Sequence, residues 1–289
     1  MSITSKIPFR ERLGKGPLLL DGAMGTHLHA DTEGQEACFD EYNLTAPEMV
    51  ADIHRAYLRA GAEILETNTF GANHFKLAAH NLSDLVAPIN QAGVEVLRQT
   101  LHEVGRNDVY VAGSVGPLGV RLGPYGRVSL ERAQEAFAEQ ITVLNDAGVD
   151  LLVLETFSDL RELRVAVQAA RTVNPALPVV ASISFTRDDR TLLGDSPAQV
   201  AETLTALGVE VAGVNCSNGP AQVARIVAGM RQAFPGTHFS AVPNAGWPEN
   251  IGGRVMYAAS PDYFARFASA MREHGVSIIG GCCGTNEAH

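Results

Sequence analysis

Short apolar runs and amphipathic helical segments alternate along this 289-residue chain, and this alternation restricts the fold more than any other feature. Eight runs rich in Val, Ile, Leu and Ala lack the polar alternation of a half-exposed strand. These predicted strands are residues 18–20, 62–66, 109–115, 150–154, 178–185, 211–215, 238–242 and 276–279. Wholly apolar strands are typical of a parallel sheet that helices cover on both faces.

A helical pattern follows each of the first seven predicted strands, with turn residues between them. Eight strand–helix units in 289 residues predict an α/β fold of the (β/α)₈ TIM-barrel type, which takes about 250 residues. The alternative is a doubly wound open sheet. Against it, no predicted helix begins with a G-x-G-x-x-G turn, and the glycines at positions 22 and 25 have the wrong spacing.

The last predicted strand lies close to the end of the chain at His289. A helix of ordinary length does not fit after it, so we expect the eighth helix to be largely absent from this chain. We interpret residues 1–289 as a single barrel, and as the N-terminal module of a longer protein.

Composition excludes several classes of function. The chain is 46% hydrophobic and 19% charged, with a formal net charge of −10 and no run of Lys or Arg, so nucleic acid is not expected as a partner. No stretch approaches the roughly 18 apolar residues of a membrane span, and residues 1–16 lack the apolar segment of a signal peptide. Four cysteines do not make a disulfide scaffold in a chain of this size, so we expect a reducing, cytoplasmic location without membrane association.

Polar residues follow the predicted strands at their C-terminal ends. In a barrel these ends meet on one face, where active sites lie. The residues are Asp21, Thr26, Asn68, Ser114, Glu155, Ser184, Cys216, Asn244, Cys282 and Cys283.

Three of these residues carry thiols that suit a metal ion. Cys282 and Cys283 are adjacent, and neighbouring cysteines make a strained disulfide but good ligands for zinc. Cys216 follows the sixth strand, and the sixth and eighth strands flank the seventh, so the three sulfurs are expected to converge. Three thiolates with one exchangeable position predict a catalytic Zn²⁺ site. The alternative is that these cysteines pack as small hydrophobic residues.

Other candidate residues are weaker. Cys38 lies in an irregular segment without a partner motif, and we expect His27 and His29 not to bind metal. Glu155 follows an apolar strand and is therefore expected to be buried. A buried carboxylate is costly unless a cation pairs with it, and the cationic group of a ligand would meet that need.

Six motifs follow one another along the chain: DGAMGT at 21–26, ETNTF at 66–70, ETF at 155–157, GVNC at 213–216, PNAG at 243–246 and GGCCGT at 280–285. Taken together and in this order, they resemble the homocysteine S-methyltransferase family. That family includes betaine- and S-methylmethionine-dependent enzymes and the homocysteine domain of cobalamin-dependent methionine synthase. The segments at 38–41 and 69–73 are most similar to the N-terminal module of bifunctional homocysteine S-methyltransferase/methylenetetrahydrofolate reductases.

The resemblance implies zinc-dependent transfer of a methyl group to the thiol of L-homocysteine, giving L-methionine. By this resemblance Cys216, Cys282 and Cys283 match the zinc ligands, and Asp21 and Glu155 match the carboxylates that hold the homocysteine amino group. The turn at 22–26 would bind the substrate carboxylate. The turn residues in question are Gly22, Ala23, Gly25 and Thr26.

The resemblance also matches Asn244 to a position that fills the fourth zinc site when substrate is absent. It leaves the methyl donor open among S-methylmethionine, S-adenosylmethionine, betaine and methylcobalamin. One alternative is a homocysteine- and zinc-binding module that acts only with further cobalamin-, folate- or flavin-binding domains, which would be C-terminal partners in the same polypeptide. A non-catalytic zinc domain is a second alternative, and a metal-dependent hydrolase is a third. The last is disfavoured because no histidine lies at a predicted strand end.

Overall fold

The computed structural model describes residues 6–30, 37–251 and 254–289. Within these ranges all eight predicted strands are present, with ends that differ by a few residues from the sequence prediction. The eight barrel strands are β1 (Leu18–Leu19), β2 (Ile64–Glu66), β3 (Tyr110–Val115), β4 (Leu151–Phe157), β5 (Val179–Ile183), β6 (Val211–Cys216), β7 (His238–Pro243) and β10 (Ile278–Ile279). The strands β8 (Glu249–Ile251) and β9 (Arg254–Met256) form a separate short pair.

The eight parallel strands form one sheet in the order β1-β10-β7-β6-β5-β4-β3-β2. Two hydrogen bonds join the ends of this series, from Glu63 N to Leu19 O (2.8 Å) and from Asp21 N to Ile64 O (3.1 Å). The sheet therefore closes on itself as a (β/α)₈ barrel, which confirms the predicted fold. The open, doubly wound alternative is wrong.

One short helix precedes β1, and the other helices connect the strands on the outside of the barrel. They are α1 (Phe9–Arg12), α2 (Met24–Ala30), α3 (Tyr42–Thr45), α4 (Pro47–Ala60), α5 (His74–Ala78), α6 (Val86–Val104), α7 (Leu130–Asp146), α8 (Leu160–Val173), α9 (Pro197–Ala206), α10 (Pro220–Ala233) and α11 (Pro261–Glu273). Local signals in the sequence account for many of their ends. Ser129 caps α7 by accepting a hydrogen bond from Arg132 N, and α4 ends at Gly61, whose φ of 99° suits glycine. No helix in the described ranges is long and apolar enough to cross a membrane.

Several short elements are not predicted from the sequence; they include α1, α3 and two elements that follow barrel strands. Residues 24–30 form α2, where we predicted only a turn, because a seven-residue helix shows too little periodicity to be recognised. The segment after β7 contains the antiparallel pair β8–β9, where we predicted a loop. After β10 the chain continues in turns to His289, so the expected eighth helix is indeed not formed there.

The barrel interior is apolar at its N-terminal end and polar at its C-terminal end. Phe9 of α1 packs on Tyr110, with ring centroids 5.5 Å apart, and belongs to the same cluster as the inward-facing residues of the strands. Higher in the barrel, Gly213 leaves room for two serine side chains; a Cβ there would lie 2.1 Å from Ser240 Oγ and 2.2 Å from Ser182 Oγ. The polar groups that remain lie at the C-terminal mouth.

Candidate metal centre and substrate pocket

Three thiol groups converge at the C-terminal mouth of the barrel. Cys216 Sγ lies 3.3 Å from Cys282 Sγ and 3.6 Å from Cys283 Sγ, and all three sulfurs lie within 4.8 Å of one another. A tetrahedral zinc ion with Zn–S bonds of about 2.3 Å would hold its sulfurs about 3.8 Å apart. The observed spacing therefore fits a zinc site with three sulfur ligands, and the cysteines are free thiols.

The ends of β6, β7 and β10 hold the three cysteines in place. Cys282 N donates to Pro243 O (2.8 Å) and Ala245 N donates to Cys283 O (2.9 Å), so the segment after β10 is fastened to the end of β7. Cys216 and the residue after it, Ser217, have φ angles of 54° and 64°. Such left-handed conformations are rare for residues other than glycine and occur where a site requires them. This sharp turn at the end of β6 brings Cys216 to the other two thiols.

The electrostatics of the cluster favour a bound cation. Hydrogen bonds from Cys216 and Cys282 lower the pKa of the Cys283 thiol to about 3. Hydrogen bonds with Cys216 and Cys283, together with burial, raise the pKa of Cys282 well above its ordinary value. Cys283 therefore loses its proton readily, whereas Cys282 does so only when a positive charge compensates the second thiolate.

Three carboxyl groups lie beside one another in the same mouth, at the ends of β1, β2 and β4. Burial raises the pKa of Asp21 and of Glu66 well above their ordinary values, and burial raises that of Glu155 to about 7. In the described part of the chain none of the three forms a salt bridge with Lys, Arg or His. Asp21 Oδ1 and Glu66 Oε1 are buried without a hydrogen-bond partner. Asp21 and Glu66 therefore each keep a buried acceptor to which the described protein atoms supply no donor.

Asn215 connects the carboxyl groups to the thiols. Its Nδ2 donates to Glu155 Oε2 (3.3 Å) and lies 3.8 Å from Cys282 Sγ. The other bonds of the amide go to Thr156: Oδ1 accepts from the backbone N (2.8 Å), and Nδ2 donates to the Oγ1 (2.7 Å). Ser114 Oγ donates to Glu155 Oε1 at 2.7 Å. These contacts orient Glu155 next to the three thiols.

The turn after β1 borders the opposite side of the pocket. Ala23 N donates to Thr285 Oγ1 (3.2 Å), so this predicted carboxylate-binding amide is used within the protein. Gly22 lies tightly against its surroundings, since a Cβ there would approach Tyr57 Oη to 2.7 Å. Gly25 and Thr26 are exposed at the mouth. The hydroxyl of Thr26 accepts from Gly284 N at 3.0 Å, which ties this turn to the cysteine segment.

Asn244, at the end of β7, is positioned by the residues around Cys216. Its backbone N donates to Cys216 O (3.3 Å), and its Nδ2 donates to Ser217 O (2.9 Å). The side-chain oxygen Oδ1 is buried and has no hydrogen-bond partner. This oxygen lies near the thiol cluster and is not used by a donor, so it is free to act as an oxygen ligand of a metal ion.

Other polar residues that we expected at strand ends have structural contacts. Asn68 Nδ2 donates to Phe39 O (2.7 Å), and Ser184 Oγ donates to Asn215 O (3.0 Å). Cys38 lies in a separate apolar cluster, away from the other thiols. His27 Nε2 lies 3.6 Å from Glu287 and is not part of the cluster of potential metal ligands, and neither is His29.

Sequence reasoning did not assign a role to Glu66, Asn215 or Thr285, although all three lie in the recognised motifs. Glu66 is the last residue of β2, and Asn215 is the residue before the last of β6. Their position at a strand end, combined with the inward orientation that the barrel register imposes, is the signal that the sequence offers. Thr285 lies beyond the end of β10 and carries no such signal.

Comparisons with known proteins agree with this geometry. A sequence profile described as Homocysteine S-methyltransferase matches residues 18–289. The methionine synthase of Mycobacterium tuberculosis (strain ATCC 25618 / H37Rv) is 34% identical over 282 residues, covering 93% of this chain and 24% of that protein. The methionine synthase of Mycobacterium leprae (strain TN) is 32% identical over 292 residues, covering 96% and 24%. The chain thus spans about a quarter of the length of these relatives.

Solved structures show the same architecture at similar length. The oxidized form of the homocysteine methyltransferase MmuM from Escherichia coli superposes with a TM-score of 0.76 at 28% identity, covering 98% of this chain and 97% of that chain. Its metallated form gives a TM-score of 0.74 at 28% identity with the same coverage. With the profile match over nearly the whole chain, these findings show that the chain belongs to the homocysteine S-methyltransferase family.

Proposed function

We propose that this chain transfers a methyl group to the thiol of L-homocysteine and produces L-methionine, with zinc as its metal. The observation that carries the proposal is the juxtaposition of three thiol sulfurs within 4.8 Å of one another with a group of buried, unpaired carboxyls. The thiols suit a metal that binds sulfur, and the carboxyls suit an ammonium group. Homocysteine carries both a thiol and an ammonium on one short chain.

The amino acid end of the substrate is bound by the first part of the pocket. In this proposal Asp21 and Glu155 accept hydrogen bonds from the substrate ammonium, which gives these carboxyls the cation that they lack. Gly22 and Ala23, together with the first residues of α2 up to Thr26, border the substrate carboxylate. The Thr285 hydroxyl holds this turn against the segment that carries the cysteines.

The thiol end of the substrate lies against the cysteines. Cys216, Cys282 and Cys283 would hold zinc, and Asn244 Oδ1 would complete the site in the absence of substrate. When bound, zinc supplies positive charge that favours the thiolate form of a neighbouring thiol, and the thiolate is the nucleophilic form. Asn215 fixes the position of Glu155 relative to Cys282, and so keeps the two ends of the pocket at one separation.

The reaction is a nucleophilic displacement at carbon. A bond forms between the homocysteine sulfur and the donor methyl carbon, the bond from that carbon to the donor breaks, and its electron pair stays with the donor. The thiol proton is lost to solvent. The contribution of the protein is to hold the sulfur in position, which turns a bimolecular encounter into an oriented one.

We also propose that residues 1–289 form a single barrel module of a longer protein located in the cytoplasm. The share of the methionine synthases that the chain spans supports the first part, and a cluster of free thiols, which needs a reducing compartment, supports the second. The same comparison favours a second candidate: a homocysteine- and zinc-binding module that acts only with cobalamin-, folate- or flavin-binding domains elsewhere in the polypeptide.

A panel of methyl donors distinguishes these two candidates. The zinc-loaded chain is incubated with homocysteine and, in turn, S-methylmethionine, S-adenosylmethionine, betaine or methylcobalamin, and methionine is quantified. Turnover with a free donor supports an independent methyltransferase, whereas turnover only when the longer protein is supplied supports the module. Cys283→Ser should lose zinc and methionine formation together. Full activity of that variant without metal would refute the proposed function.

A further inference from the structure

Glu66 places a third carboxyl group in the substrate pocket, next to the two that the proposed reaction uses. Its side chain points into the barrel from the end of β2 and lines a cavity of about 10 Å³ together with Glu155 and Asn215. Oε1 of Glu66 is buried and has no hydrogen-bond partner. When the carboxyl is ionised, as it would be beside a cation, its oxygens only accept hydrogen bonds, and this atom then requires a donor from outside the described protein atoms.

The neighbouring carboxyls show where such a donor would lie. Asp21 Oδ2 accepts from the backbone N of Glu66 (3.0 Å), which fixes the two residues side by side, and Asp21 Oδ1 has no partner. Glu155 accepts from Ser114 and Asn215 but keeps lone pairs free, since a carboxylate offers about four acceptor sites. The three carboxyl groups lie at the ends of β1, β2 and β4, and Asp21 and Glu66, on the neighbouring strands β1 and β2, each keep one oxygen without a donor.

We propose that Glu66 binds the amino group of homocysteine as a third carboxyl contact beside Asp21 and Glu155, so that the pocket selects an unsubstituted primary ammonium. This inference rests on the proposed function. A primary ammonium has three N–H donors, and three carboxyl groups offer one acceptor to each of them. A substrate without the nitrogen leaves Asp21 Oδ1 and Glu66 Oε1 without a donor, and a buried polar site rejects such a substrate strongly.

The test compares two thiols that differ only in the amino group. L-homocysteine and 4-mercaptobutanoate, which lacks the nitrogen, are titrated by calorimetry into the zinc-loaded protein. The wild type should bind homocysteine more tightly. Glu66→Gln, which keeps the shape and removes the charge, should weaken homocysteine binding about 10- to 100-fold, as expected for a charge-assisted hydrogen bond. It should change 4-mercaptobutanoate binding less than twofold.

Glu63→Gln is the matched control. Glu63 precedes β2 and lies at the opposite end of the barrel, where it pairs with Arg12, so neither affinity should change. If Glu66→Gln does not fold, Glu66→Asp serves instead, because it keeps the charge but withdraws it by one methylene. It should weaken homocysteine binding with unchanged zinc content and unchanged 4-mercaptobutanoate binding.

The outcomes separate this inference from the function on which it rests. If the wild type binds neither thiol, the proposed function fails. If the wild type prefers homocysteine and the Glu66 variants keep that preference in full, the carboxyl is satisfied by water and the inference is overturned, while the proposed function stands. Equal weakening of both thiols also overturns it, because it indicates general damage to the pocket.

Discussion

Replacing Asn215 by Asp tests the electrostatics of the pocket at one atom. The two side chains have the same shape, so the substitution changes a donor that faces Glu155 Oε2 at 3.3 Å into a carboxylate oxygen. At an effective dielectric constant of about 20, two unit charges at this distance repel by about 5 kcal/mol. The folded variant avoids this cost by keeping one proton on the pair.

The pH dependence follows from that retained proton. Burial raises the pKa of Glu155 in the wild type to about 7, so below about pH 6 the wild type and the variant both hold one proton here, and their unfolding free energies should be similar. Above pH 7 the wild type loses this proton, the folded variant keeps it, and the unfolded chains carry none. The variant therefore binds one proton more when folded than when unfolded. Its stability relative to wild type should fall by about 1.4 kcal/mol per pH unit between about pH 7 and 9.

Urea unfolding of the metal-free proteins, followed by circular dichroism at pH 6, 7, 8 and 9, measures this difference. Asn107→Asp makes the same chemical change at an exposed residue and should alter the unfolding free energy by less than about 0.5 kcal/mol at each pH. A difference between Asn215→Asp and wild type that stays constant from pH 7 to 9 would show that Asn215 does not face an ionising Glu155.

Two further substitutions test the core. His54 is buried with neither ring nitrogen hydrogen-bonded, and burial lowers its pKa to about 3. Below about pH 6.5 the imidazole binds a proton in the unfolded chain but not in the folded one, so the unfolding free energy falls as the pH falls. At pH 5 this loss should amount to about 2 kcal/mol. Urea unfolding of His54→Leu should show an acid-induced loss smaller by that amount. Gly213→Ala forces a Cβ to within 2.2 Å of both serine hydroxyls inside the barrel and should destabilise by about 1–3 kcal/mol in thermal unfolding. Gly229→Ala on α10, where a Cβ meets nothing within 4 Å, should be neutral or stabilising; equal losses for the two alanine variants would contradict the packing described here.

The fold was predictable because its signals are local and repeated. Each buried strand is a short apolar run, and several helix ends carry a cap or proline that acts within one turn, as Ser129 and Pro47 do. The elements that escaped prediction are short, so their own sequence pattern is too weak to identify them. Helix α2 has seven residues, and its Leu28 is wholly buried by contacts that lie far away in sequence.

The thiol cluster was predictable for a different reason. Few residue types bind zinc, and only the barrel topology was needed to bring Cys216 near the vicinal pair. The contributions of Glu66 and Asn215 depend on which face of a strand points inward and on distances of about 3 Å between neighbouring strands. Strand boundaries assigned from sequence are uncertain by one residue or more, and a shift of one residue reverses the side to which a side chain points.

The central claim is that three sulfurs from two distant parts of the chain bind one metal ion. Zinc-edge X-ray absorption of the protein loaded with one equivalent of zinc counts these ligands directly. We expect three sulfur neighbours at about 2.3 Å in the wild type and in Cys38→Ser, and two in Cys216→Ser. A zinc ion with fewer than three sulfur neighbours in the wild type, or a sulfur count that Cys216→Ser leaves unchanged, would contradict the account.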